Sequence, residues 1–89
     1  MDTRARIAWN LRRLRSAQQI TQEQLAVDAS VDRTVISDIE RAKHNASVDL
    51  LHRLAEALSA DVAELFEIPA QGEAPPAPLL PGRKPAARR

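Results

Sequence analysis

Four side chains between positions 33 and 38 have the right chemistry to read the edges of nucleic-acid bases: Arg33, Thr34, Ser37 and Asp38. A guanidinium can donate both of its parallel bonds to guanine O6 and N7, and a threonine methyl can meet a thymine methyl. Serine serves either as donor or as acceptor, and an aspartate can accept from cytosine N4. On a helix opening at Arg33 these residues point outward while Val31, Val35 or Ile36, and Ile39 turn inward. Such a leading edge suits the floor of a DNA major groove. The alternative for the same row is an ordinary solvent face with Asp38 as a surface anion. No nucleophile, base and oxyanion donor form a set anywhere in the chain, so no catalysis is expected.

That row must be held by its surroundings, and residues 21–40 read as two short helices joined by a tight turn. The first is expected over 22–29, with the Thr21 hydroxyl as cap and Gln24, three residues on, completing a capping box. The second is expected over 33–41, capped by the Asp32 carboxylate. Ahead of them, Ile7, Leu11 and Leu14 recur at helical spacing, with Ala8 beside the stripe, and predict a helix from Thr3 to about Ala17. Behind them, a Ser47 cap with Asp49 in the first turn starts a fourth helix whose buried stripe is Leu51, Leu54, Ala55 and Leu58. Residues 61–67 predict a short fifth helix with Val62, Leu65 and Phe66 apolar.

The chain of 89 residues allows one small domain, and with no cysteine neither a disulfide nor a cysteine-bearing zinc site can brace it. His44 and His52 stand apart from any partner cluster, so no metal and no cofactor are expected. A core built from Leu, Ile, Val and Ala is marginal at this length, and self-association would help it. No apolar run approaches the ~20 residues of a membrane span, and the N-terminal residues lack the apolar centre of a signal peptide. A cytoplasmic protein without membrane contact is expected. The net charge is only +1, but residues 1–15 carry five Arg against Asp2, whereas residues 46–68 carry Arg53 against five acids. Phosphate binding needs a local positive face, not a positive total. Residues 69–89 hold all six prolines and both glycines and end in basic residues, so a disordered, Pro-rich basic tail is expected there.

From Ile7 to Phe66 the chain resembles the Cro/repressor-like, xenobiotic-response-element type of helix-turn-helix protein. The residues that carry the resemblance are Leu11 to Arg15, Thr21 to Ala26, Val31 to Thr34, Ile36 to Arg41, Lys43 to Asn45, and Val48 to Leu58. The run RTVISDIERAK is especially similar to small controllers of restriction–modification systems. The resemblance implies an all-α, compact five-helix domain over 1–68. It implies that Gln22 contacts a phosphate at a helix N-terminus, the alternative being a plain first-turn polar residue. It places Arg41, Lys43, His44 and Asn45 on the sugar-phosphate strand, with Arg12 and Arg13 adding to the grip. It also implies a partly buried ion pair between Arg15 and Glu40 that sets the angle of the third helix, against the alternative of two unlinked surface charges. Three turn and loop positions depart from the family. Ser30 and Ala42 stand where glycine is usual and Ala46 where proline is usual, so a somewhat different turn is expected at Ser30 and a looser loop after Ala42.

Two functional readings follow. The first is a sequence-specific transcriptional regulator that binds double-stranded DNA as a homodimer on a near-palindrome, since one monomer reads too few base pairs. Its dimer face is expected at Leu50, Val62, Leu65 and Phe66. The second is a protein-binding regulator on the same scaffold, an antiactivator of a transcription factor. The acidic balance of residues 16–68 favours it, as do the off-stripe residues Trp9 and Leu50, which either cap the core edge or mark a partner surface.

Overall fold

A computed structural model describes residues 1–70. It contains four α-helices, α1 (Thr3–Ala17), α2 (Gln22–Ala29), α3 (Arg33–Glu40) and α4 (Val48–Ala57), followed by a single 3-10 turn, Val62–Phe66. Most of the helix starts are closed by side chains. Asp2 accepts from Ala5 N, Thr21 and Gln24 form the reciprocal box, and Ser47 accepts from Leu50 N. Asp32 departs from expectation. Its backbone is extended and its carbonyl accepts from Val35 N and Ile36 N, but its carboxylate makes no cap bond. The residue is exposed, so water can solvate the carboxylate in place of the helix N–H groups.

The core joins Ile7, Leu11 and Leu14 of α1, Leu25, Ala26 and Ala29 of α2, Ile36 and Ile39 of α3, and the leucines of α4. Helix α1 packs on α3 and on the terminal turn, while α2 lies against α3 and α4. Two expected surface residues belong to this core instead. Leu50 extends the Leu51, Leu54 and Leu58 stripe across a wider face of α4. Leu65 is fully enclosed, whereas its neighbours Val62 and Phe66 are 38% and 37% exposed.

The expected fifth helix is the 3-10 turn. Asp61 and Glu64 close a capping box at its start, but the chain is already extended at Glu67. Pro69 disfavours a helical Ile68, and so short a run lacks room for an i→i−4 ladder. The turn is nevertheless held firmly. Asn10, 1% exposed, donates from Nδ2 to the carbonyls of Leu65 (3.0 Å) and Glu67 (2.7 Å), and Arg6 Nη1 donates to Phe66 O at 3.3 Å. Except for Pro69 and Ala70, the expected tail lies outside the described residues.

All four helices end in a left-handed residue, and none of the four is glycine: Gln19, Ser30, Ala42 and Ser59 have φ between 53° and 59°. After each, the next residue's N–H reaches back five residues, as in Val31 N to Ala26 O and Lys43 N to Asp38 O, both 2.9 Å. This is the Schellman closure, which satisfies carbonyls the helix would leave open. A Cβ in this conformation costs roughly 1 kcal/mol. Ser30 therefore keeps the turn that glycine would make, contrary to the expected alternative geometry. Ala42 likewise stops α3 without loosening its end.

Candidate nucleic-acid interface

Helix α3 buries Ile36, Ile39 and Glu40 and leaves Arg33 and Thr34 exposed, with Ser37 and Asp38 half-covered beside them. The four side chains proposed to read bases thus share the outer face, at the end of the helix that begins the second half of the motif. Val35, half-buried, packs against the core.

Beneath that face lies a closed electrostatic joint. Arg15 Nε donates to Glu40 Oε2 at 2.7 Å and Arg15 Nη2 to Glu40 Oε1 at 2.9 Å, a bidentate fork with both side chains only 6% exposed. Arg15 Nη1 donates to Ile20 O at 2.8 Å. The guanidinium therefore bonds along three of its N–H directions, and it ties the end of α1 to both the following turn and α3. Desolvating two charges is expensive, and only such saturated geometry offsets it. The same carboxylate accepts a further bond from Gln22 Nε2 at 3.1 Å.

Gln22 then passes the link outward, because Arg33 Nη1 donates to its Oε1 at 3.4 Å. Arg33 also stands 3.8 Å from Glu23, but both side chains are more than half exposed and such a pair contributes little. The first turns of α2 and α3 are therefore connected: Gln22, assigned to a phosphate, and Arg33, assigned to a base, are in contact before any ligand arrives.

The remaining candidates are less uniform. Asp38 Oδ1 accepts from Arg41 Nη2 at 2.7 Å, so a base candidate and a phosphate candidate are paired with each other. Lys43 and Asn45 are exposed and His44 is half-covered in the loop that follows. Arg13 is drawn toward the terminal turn, donating to Asn10 Oδ1 and lying 3.5 Å from Glu67. Arg12 is also engaged within the fold. Trp9 is half-buried with its Nε1 enclosed and unpartnered among the described residues. Asn10 was not singled out from sequence. Its signal was a polar residue three positions after Ile7, on the buried side of an amphipathic helix.

Two short helices at a tight turn, the second presenting polar side chains above a buried brace, define the helix-turn-helix class of DNA-binding transcriptional regulators. A helix-turn-helix domain profile matches residues 6–67. The chain is 37% identical over 66 residues to the control protein C.SmaI of Serratia marcescens, covering 74% of this chain and 79% of that one. Its fold matches the restriction–modification controller protein C.AhdI of Aeromonas hydrophila with a TM-score of 0.69 and 35% identity, over 71% of this chain and 96% of the other. The hypothetical transcription factor NHTF from Neisseria matches with a TM-score of 0.74 and 34% identity, over 76% and 78% of the two chains. The chain belongs to the helix-turn-helix family.

Proposed function

We propose that this protein binds a near-palindromic operator as a homodimer and regulates transcription from it, in the cytoplasm. The observation that carries the reading is the contrast on α3: Arg33 and Thr34 are open to a ligand while Glu40, one end further on, is locked to Arg15. A presented edge on a rigid mount is what direct base readout requires. Two subunits would set recognition helices ~34 Å apart on one face of the duplex. Val62 and Phe66 support a dimer contact at the terminal turn, beside the exposed Ile68.

In this reading Arg33 donates to a guanine, Thr34 and Ser37 contact neighbouring bases, and Asp38 accepts from a cytosine once Arg41 turns to the backbone. Gln22, Lys43, His44 and Asn45 hold phosphates. The antiactivator alternative loses one support, because Leu50 is in the core and cannot anchor a partner. The test is titration of wild type and Arg33→Ala onto promoter DNA at several salt concentrations. Sequence-selective binding that Arg33→Ala levels is expected. Equal affinity of the wild-type protein for every duplex would remove the reading.

A further inference from the structure

The cations assigned to phosphate from sequence are unevenly available, and that imbalance points to a residue not among them. Arg13 is paired with Glu67 and bonded to Asn10, and Arg41 is paired with Asp38. To reach DNA, Arg13 must give up two partly buried bonds to Asn10 Oδ1, and Arg41 a 2.7 Å contact with Asp38. The Arg4 side chain has no hydrogen bond or ion pair among the described residues, and it is exposed in the first turn of α1.

Its position gives that freedom a use. The amino end of α1 and the loop after α3 face each other across an open groove of about 360 Å³. Thr3 and Arg4 from α1 and His44 and Asn45 from the loop line it together with apolar side chains that include Ile7 and Ile39. No acidic side chain among the described residues lines it. Every polar side chain of the lining can donate a hydrogen bond, and the one permanent charge among them is positive. An apolar lining beside such groups strengthens the local positive potential. Lys43, exposed and without an ion pair among the described residues, lies next in the chain to His44. The family-like loop that grips the backbone is thus faced by a cation from a distant part of the sequence.

We infer that Arg4 forms, with His44 and Asn45, a two-sided clip for a duplex phosphate, and that it contributes to phosphate binding in place of Arg13. The inference rests on the duplex-binding reading above. Because a phosphate contact carries no sequence information, it can be tested without knowing the operator.

Wild type, Arg4→Ala, Arg4→Lys and Arg13→Ala are titrated onto a mixed-sequence duplex of a few helical turns, between roughly 50 and 200 mM salt. Arg4→Ala is expected to weaken binding at low salt and to lower the slope of log affinity against log salt by about 0.9 per subunit. Arg4→Lys restores the wild-type slope, since a point charge suffices for a phosphate. Arg13→Ala leaves the slope unchanged. Thermal unfolding of each variant shows that Arg4, being exposed, is not required for folding. A wild-type slope in Arg4→Ala, with wild-type protein still binding DNA, overturns the clip and leaves the duplex reading intact. Absence of wild-type binding at the lowest salt removes both.

Discussion

The outer and inner faces of α3 are built on opposite principles, though only about two turns of helix separate their key residues, Arg33 and Glu40. Outside, Arg33 makes one long bond to Gln22 and a loose approach to Glu23, both in reach of water. Inside, Glu40 accepts three bonds and its partner Arg15 makes three. Exposed pairs of the first kind contribute close to nothing to stability and can be exchanged for ligand contacts at little cost. Saturated pairs of the second kind cannot be opened without stranding a charge. This domain therefore separates what holds α3 from what α3 offers, so that recognition residues can change without disturbing the angle of the helix.

The most direct way to break that comparison is to remove one partner of the inner pair. Arg15→Ala or Glu40→Ala is expected to cost about 3–5 kcal/mol in urea unfolding, while a paired replacement such as Arg15→Met with Glu40→Leu recovers most of the loss. Arg33→Ala, by contrast, should stay within about 0.5 kcal/mol of wild type. If the single inner substitutions prove as mild as the outer one, the two faces are not different in kind.

A second internal joint sharpens the same contrast at the other end of α1. Asn10→Ala leaves the Leu65 and Glu67 carbonyls without their buried donor, at about 1–3 kcal/mol. Chemical denaturation measures the loss, and a change in the fluorescence of Trp9, one residue away, would report whether the local packing follows. Next in size is a gain. Ser30→Gly and Ala42→Gly relieve left-handed strain, so each should raise stability by up to about 1 kcal/mol, seen as a higher midpoint of thermal unfolding. No gain at either site would mean that the backbone entropy of glycine cancels the relief. The smallest stability effect belongs to the outer face again. Asp38→Asn should shift stability by less than about 0.5 kcal/mol, yet it frees Arg41 and removes an anion from the reading edge. Tighter binding to all duplexes with weaker discrimination at one base pair is expected in a competition assay, and unchanged discrimination would take Asp38 out of the reading set.

Much of this organisation is legible along the chain. Periodicity places α1, α2 and α4, because a stripe such as Ile7, Leu11 and Leu14 has few other ways to be buried. Caps at Thr21 and Ser47 are local chemistry between residues three apart, and they form as the spacing implies. The terminal turn was less legible, since five residues cannot distinguish a 3-10 turn from a short α-helix by pattern. Ser30 and Ala42 misled for a different reason. Propensity favours glycine at a left-handed position, but the back-bonds from Val31 and Lys43 and the packing around them hold the conformation against a cost of roughly 1 kcal/mol.

What the sequence by itself determined is therefore whatever depends on neighbours within a turn or two: helix positions, their caps, the apolar stripes and the outward row on α3. Only the tertiary structure decided which charges remain available. Arg13 and Arg4 look alike in sequence, yet one meets Glu67 from 54 positions away and the other meets no acid among the described residues. Leu50 and Leu65 look as free as Val62 and Phe66 until the helices enclose them. The reason is physical: a hydrogen bond within a helix turn is set by local backbone geometry, whereas the burial of a leucine or the pairing of an arginine depends on surfaces that meet only when distant segments pack.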